Sequence, residues 1–453
     1  MISRVCLPFF PQVIGGRHPT QRRSYSSRQC HENGGQVDIR AMKERSDLMQ
    51  NENDVVIVSA VRTPFDRFGG PMRSLRSIDL GAMVIQEALN RVDVAPQEID
   101  EIYYGLSCLA EVAPETDVPA RWATLMAGFP GESISLTVNR ACCSSLSGLR
   151  LLFRAIKAGE IGIGLAIGSD NMSRTPFIAP SQVRWGNRLS NIVMKDPLFE
   201  LGYYDFNPVS MDASEVAVEH GITRELQDEW AYGSHQKYAR AFEDGKFRVG
   251  EELMAVELPE KRGEPLVIDR DQQPRPDTTL ERLAALPTIY GTPTVTAGNA
   301  PGLNGGATAI LLMSRKKAQE KGLAVLGEVV ASVPSATEPR YIATIPAKSI
   351  NLALEKAGMG LDEMDLIEIN EAFAAVVLTS TKILANGNEE KWKEILNKTN
   401  VNGGAIAVGH PVGASALRIT MTLMYELRRR GGGAGVAAIC GGLAQGESVI
   451  ISV

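Results

Sequence analysis

Two copies of one α/β unit, parted by a long structured insertion, are expected from three features of the 453-residue chain. The first is a repeated segment: residues 85–105 read IQEALNRVDVAPQEIDEIYYG and residues 350–370 read INLALEKAGMGLDEMDLIEIN, offset by 350 − 85 = 265 residues. Each runs through an amphipathic helical period, a short turn, an acidic knuckle (Glu98-Ile99-Asp100, Glu363-Met364-Asp365) and a strand. The second is another match in the same order. Ser147-Gly148-Leu149-Arg150 corresponds to Ser415-Ala416-Leu417-Arg418, offset by 415 − 147 = 268 residues. Each lies in a helical stretch that leads through a Gly-rich turn to an apolar strand, 165–168 and 437–440. Two ordered matches argue for duplication of one supersecondary unit. The third is compositional: the stretch between the copies is richer in polar and aromatic residues.

In chain order, residues 1–53 stand apart from the repeat and are expected to be disordered. Residues 1–31 hold no Asp or Glu but carry Arg4, Arg17, Arg22, Arg23 and Arg28, the balance of a mitochondrial transit peptide, with a processing site at Arg23-Ser24-Tyr25-Ser26. Pro8, Pro11 and Pro19 interrupt the helix such a peptide forms, so an upstream start ahead of Met42 or Met49 is the preferred reading. The body opens near Asp54, where Val55-Val56-Ile57-Val58 reads as a buried strand. The first half takes residues 54–171 plus 303–324, the insertion 172–302, and the second half 325–453. The insertion holds Trp185, Tyr203, Tyr204 and Trp230 and one clear helix at 225–243. Linkers lack aromatics, so a structured loop domain is expected there.

Bulk numbers narrow the partners. Apolar residues at 44% and charged residues at 22% are those of a soluble globular protein. A net charge of -6 offers no basic face for nucleic acid. No apolar run approaches the ~18 residues of a membrane span. Six cysteines are too few for a disulfide scaffold and no pair has zinc-ribbon spacing, so a reduced compartment, the cytoplasm, is expected, with no metal. The mitochondrial matrix is the alternative if residues 1–30 are a genuine leader.

The repeat also places the chemistry, since Cys142 falls on His410 (142 + 268 = 410). Each comes just before a helix that opens with small residues. A side chain at a strand-to-helix turn sits at the sheet edge beside backbone N–H groups and the positive helix end. Packing the halves about a pseudo-twofold would bring the two turns together, giving a stabilised thiolate and an imidazole to take its proton.

Four motifs in order then resemble the thiolase family over roughly residues 55–453. They are Val138-Asn139-Arg140-Ala141-Cys142-Cys143-Ser144-Ser145, Asn370-Glu371-Ala372-Phe373-Ala374, the run from Asn402-Gly403-Gly404 to Gly409-His410-Pro411, and Cys440-Gly441-Gly442. The resemblance implies a five-layered αβαβα core and an acyltransferase acting on coenzyme A thioesters, which are substrates rather than permanently bound cofactors. It implies Cys142 as the nucleophile that carries the acyl group, His410 as acceptor of its proton, and Cys440 as acid/base. Asn370 would hold a water in one oxyanion hole, and the backbone N–H groups of Cys142 and Gly442 would form the other. Such donors are usually the largest catalytic term. A homodimer or homotetramer is the implied assembly.

Departures from the family pattern bear on substrate. Ser210-Met211 stands where short-chain members have His-Met, and Pro301 where they have Ser; both positions flank the pantetheine arm. Gly305 replaces an Asp, and Leu443-Ala444 replace glycines near Cys440. Arg275 matches a position near the nucleotide end of coenzyme A and is a weaker binding candidate. Among the remaining residues, Cys143 reads as packing, Cys108 as core, and His220 and His235 as surface or helix packing. Arg428-Arg429-Arg430 reads as a helix C-terminus, where cations meet the dipole. The competing readings are a ketoacyl synthase of the same fold, whose second His motif has no match here, and a non-catalytic coenzyme A or lipid-binding relative.

Overall fold

Side-chain alternation in the strands decides the layering. The computed structural model describes residues 51–199, 205–260 and 263–453, which belong to one unit, Asn51–Val453. The readings made for residues 1–50, and for Tyr203 and Tyr204, lie outside the described residues. The opening strand, β1 (Val55–Arg62), is buried along its whole length, as its apolar run requires. Val56, Val58 and Val61 join one core, while Val55, Ile57 and Ala60 join another. Ile57 and Ala60 share a face despite their odd spacing because the register shifts between Ile57 and Ser59, as a bulge does.

After β2 (Asp66–Arg67) the first half continues with α1 (Ser77–Asn90), β3 (Glu101–Leu106), β4 (Ile134–Val138), α2 (Ser144–Ala158) and β5 (Ile163–Asn171). The insertion carries α3 (Val209–Glu219), α4 (Arg224–Glu243) and a small hairpin, β6 (Val256–Leu258) with β7 (Leu266–Ile268). The chain returns as β8 (Asn304–Ser314). The second half then runs through β9 (Gly327–Ala336), α5 (Ile345–Ala357), β10 (Leu366–Ile369), α6 (Ala374–Leu384), α7 (Glu389–Asn397), α8 (Ser415–Arg429), β11 (Ala434–Gly441) and β12 (Gln445–Ser452).

The main sheet has the order β10-β11-β12-β9-β1-β8-β5-β3-β4, which reads nearly the same from either end. Both β3–β5 and β10–β11 are parallel, and both β5–β8 and β11–β12 are antiparallel. The halves meet at β1 and β9 through only Val56↔Glu328 and Ile57↔Gly327. Even the outermost strand has a counterpart. Ile134 of β4 maps to Thr399 (399 − 134 = 265), which makes a single parallel bridge to Ile367 of β10.

Three apolar cores separate five layers. Leu80, Val84 and Ile85 of α1 pack on the outer face of the first-half strands. Leu146, Leu149 and Leu152 of α2 meet Leu417, Met421 and Met424 of α8 in the middle, covered by Ile310 and Leu312 on one side and Ile439, Val449 and Ile451 on the other. Ile350 and Leu354 of α5, with Val376 and Val377 of α6, close the far side of the second half. The central layer therefore holds both helices that follow the candidate catalytic turns. Its burial is the main driving force for holding the halves together.

Candidate active site

The nucleophile turn is built from its own motif. Asn139 Oδ1 accepts from the Ala141 N–H at 3.0 Å, and the Ser144 hydroxyl donates to the Ala141 carbonyl at 2.6 Å while accepting from the Arg140 N–H at 2.9 Å. Ala141 sits at φ 50°, in the left-handed region that non-glycine residues seldom enter. Such backbone strain concentrates at functional turns. Cys142 follows it, just ahead of α2. Arg140 also reaches into the second half, donating to Gln445 at 3.1 Å and to the Glu447 carboxylate. Arg150 of α2 lies 2.6 Å from the same carboxylate, which is fully buried. Those two arginines tie the turn to the β11–β12 hairpin, where Cys440 and Gly442 lie.

His410 opens the matching turn ahead of α8. Its Nδ1 lies 2.6 Å from Ser415 Oγ, and the Ser415 hydroxyl donates to the Pro411 carbonyl at 2.8 Å. That hydroxyl has one proton, already used, so Nδ1–H is the donor and Nε2 keeps its lone pair. Burial, helped by the Arg418 charge, holds the imidazole pKa down to about 3, so the ring is neutral at physiological pH. Asn370 Nδ2 stands 3.5 Å from Nε2, and Asn370 Oδ1 is buried with no partner among the described residues. The loop that carries Asn370 is held by its neighbour: the Glu371 carboxylate accepts from Trp230 Nε1, Ser234 Oγ, Asn400 Nδ2 and the Ile406 N–H at 2.8–3.1 Å.

Cys142, His410, Cys440 and Gly442 all line one cavity of about 360 Å³. Pro301 lines it too, and the other walls include Leu109, Leu198, Val209, Phe373 and Val412, with no charged side chain among the described lining residues. Burial pushes the Cys142 thiol up to about 12, with Asp170 adding in the same direction. Burial, then the charge of Cys142, raises Cys440 likewise. Both sulfurs therefore rest as thiols, and ionising either needs a proton acceptor beside it.

The weaker candidates divide. Arg275 lies in a separate cavity of about 190 Å³ with His235, Asp277 and Arg282, and Ala300 lines that cavity while Pro301 lines the first. His235 Nδ1 accepts from the Arg275 N–H at 3.2 Å, so this histidine shapes the Arg275 loop rather than packing passively. Ser210 is buried in α3 with no partner for its hydroxyl among the described residues, one residue from the cavity-lining Val209, and Met211 is half-buried beside it; neither lines the cavity. Cys143 is buried between the sheets, as packing. Cys108, expected in the core, instead lines the cavity, because the segment after β3 turns inward over Cys142. Leu443 and Ala444 both adopt positive φ, 58° and 50°, at the hairpin turn where glycines were the pattern. Arg429 and Arg430 pair with Glu426 at the end of α8, a structural arrangement as expected.

Comparison with known proteins bears on the fold and the family. Family models described as "Thiolase, N-terminal domain" and "Thiolase, C-terminal domain" match residues 55–316 and 323–453. An acetyl-CoA acetyltransferase of Pseudomonas aeruginosa is 40% identical over 403 residues, covering 88% of this chain and 99% of the relative. A beta-ketoadipyl-CoA thiolase of Acinetobacter baylyi is 38% identical over 404 residues, covering 87% and 98%. Among solved structures, human mitochondrial 3-ketoacyl-CoA thiolase superposes with a TM-score of 0.82 at 35% identity, covering 88% of this chain and 99% of that one. The same human enzyme in complex with CoA superposes with a TM-score of 0.81.

Proposed function

The chain belongs to the thiolase family, and on that premise we propose that it transfers acyl groups between coenzyme A thioesters through a covalent intermediate on Cys142. The observation that carries this reading is the convergence of Cys142, His410 and Cys440, drawn from both halves, on one uncharged cavity. His410 Nε2 takes the Cys142 proton, and the thiolate attacks the thioester carbonyl. Cys440 protonates the departing coenzyme A, then removes the α-proton of a second thioester, whose enolate attacks the acyl group on Cys142. The reverse sequence is thiolysis of a 3-oxoacyl thioester. Oxyanions form twice: one faces a water on Asn370 together with the protonated His410, the other the N–H groups of Cys142 and Gly442. Preorganised donors of this kind supply the largest share of such rate enhancements.

Coenzyme A and its thioesters are substrates in this scheme, with no permanently bound cofactor. The cavity around Arg275 takes the nucleotide end, and the Ser210, Met211 and Pro301 region flanks the pantetheine arm. An apolar, uncharged acyl chain suits the wall by Leu109, Leu198 and Val412; a chain ending in a carboxylate would meet no cation among the described lining residues. The enzyme acts as a homodimer or a tetramer of two dimers, because β4 leaves a bare sheet edge with Ile134 66% and Leu136 51% exposed. No helix among the described residues is long and apolar enough to cross a membrane, and the proposed compartment is the cytoplasm. Coenzyme-A-dependent thiolysis, followed from acetoacetyl-CoA to 3-oxodecanoyl-CoA and on 3-oxoadipyl-CoA, tests the reading. Cleavage of the linear series with poor use of the dicarboxylic substrate is expected; no cleavage of any member overturns it.

A further inference from the structure

One buried carboxylate stands at the joint between the two catalytic turns and belongs to none of the four motifs. Asp170, near the end of β5, is fully buried and lies opposite Gly306 of β8. Its Oδ1 accepts from the N–H groups of Cys108 at 2.8 Å and Ser107 at 3.2 Å, and its Oδ2 from the N–H of Gly413 at 2.5 Å. The first two donors form the cavity wall over Cys142 in the first half. The third belongs to the turn that opens with His410 in the second.

The backbones meet here without room for side chains. A Cβ on Gly413 would stand 2.7 Å from the Ser169 carbonyl oxygen and 2.9 Å from that of Gly105, and one on Gly168 would stand 2.3 Å from the Gly413 carbonyl oxygen. A neutral side chain cannot satisfy three converging N–H groups as a carboxylate does, because charge-assisted acceptance is roughly twice as strong. The titratable groups around it are Cys108 and Cys142 on the cavity side, Tyr104 on β3, and Glu111, which pairs with Arg174. Burial raises the Asp170 carboxyl itself to about 7, against the lowering by its three N–H donors, and above that pH its negative charge opposes ionisation of both Cys108 and Cys142.

We propose that Asp170 is a positioning residue for the reaction: by gripping Cys108 and Gly413 it sets the His410 turn against Cys142 across the boundary between the halves. This rests on the thiolase reading for its kinetic consequence, although the effect on Cys142 itself does not. Other cross-half bonds act on one turn at a time: Asn304 Oδ1 accepts from the His410 N–H at 2.8 Å, and Arg140 and Arg150 reach Glu447. Asp170 bonds at once to the wall over Cys142, through Ser107 and Cys108, and to the His410 turn, through Gly413.

The test uses Asp170→Asn and Gly413→Ala in the full chain. Two readouts are taken: thiolysis normalised to reactive Cys142, and the pH profile of Cys142 alkylation by iodoacetamide, read by peptide mass. Asn keeps one acceptor but turns an amide N–H toward a donor. Its kcat should fall roughly 10- to 100-fold, the scale of a small misplacement of reacting groups, with KM changed much less. Its alkylation profile should shift to lower pH, since a charge that opposed the thiolate is gone. Gly413→Ala should reproduce the kcat loss without that pH shift. Wild-type kcat in Asp170→Asn, or an unmoved alkylation profile, overturns the proposal. Should Asp170→Asn fail to fold, wild-type kcat in Gly413→Ala overturns it instead. If the wild-type chain cleaves no 3-oxoacyl-CoA, the thiolase reading fails, and the alkylation profile still decides whether Asp170 controls Cys142.

Discussion

Set side by side, the two halves carry the same run of strand, helix and strand, yet the turn before the helix holds a thiol in one and an imidazole in the other. Their surroundings differ in a matching way. The Cys142 turn is strained at Ala141 and tied down by charge, through Arg140 and Arg150 to Glu447. In the His410 turn the ring itself is held by neutral hydrogen bonds through Ser415, which also fix its tautomer, and the charged group on the turn's backbone, Asp170 at Gly413, comes from the other half. The outer edges differ too. In the first half β4 is a full strand with an open side; in the second its counterpart has shrunk to the Thr399 bridge, and α7, with Trp392 and Ile395 buried, packs beside it. Duplication thus doubled the scaffold and left each copy free to specialise: on the proposed reading, one for covalent chemistry and association, the other for proton transfer.

The sharpest way to break that division is to remove its reacting atoms. Cys142→Ser should abolish turnover and the labelled acyl-enzyme, because a hydroxyl ionises far less readily than a thiol. Digestion after incubation with labelled acetyl-CoA checks it, and label on Cys108 or Cys143 would sink the assignment. His410→Gln should lower kcat by about 10²–10⁴-fold, the usual worth of a positioned base. A loss below tenfold in single-turnover acylation would mean that another group takes the Cys142 proton.

A milder change targets the edges. Ile134→Lys with Leu136→Lys should turn an oligomer into monomers in sedimentation, as charges on an open edge block strand pairing. The comparison fails here if wild type already sediments as a monomer at micromolar concentration. The smallest effect concerns substrate. Ser210→His with Pro301→Ser should restore short-chain preference, each regained hydrogen bond being worth about 0.5–1.5 kcal/mol, or up to about tenfold. A chain-length profile left unchanged by the pair would remove both positions from the acyl channel. Pro301 lines the cavity and Ser210 stands one residue behind it, so the proline is expected to carry more of the shift.

Much of this division was legible beforehand, for physical reasons. The duplicated halves showed themselves because buried strands and amphipathic helices impose periods that survive at nearly one offset, 265 to 268 residues, whereas the match of Thr399 to Ile134 needed the strand pairing. Cys142, His410 and Cys440 stood out because each sits in a motif of Gly and small residues that only a tight turn demands. Asp170 did not, since a single acidic residue at a strand end looks like any solvated one until the partner half folds over it. Cys108 misled for the opposite reason: an isolated cysteine reads as a small hydrophobe, and only the inward turn after β3 brings it to Cys142. His235 gained its role from Arg275, forty residues along, which no local pattern announces.

The sheet order has a consequence for how the chain is made. β1 emerges early, yet apart from one bridge between Arg62 and Leu253 its partners among the described residues are β8 and β9, so the body of the strand waits for residues 304 onward, at least 304 − 62 = 242 positions later. At a synthesis rate of about 5–20 residues per second, that delay is roughly 12–50 seconds. Throughout it, the apolar run Val55-Val56-Ile57-Val58 has no sheet to enter. Such an unpaired strand is a site for pairing with other nascent chains. The strand at the middle of the finished sheet is thus the one most in need of a chaperone during its birth.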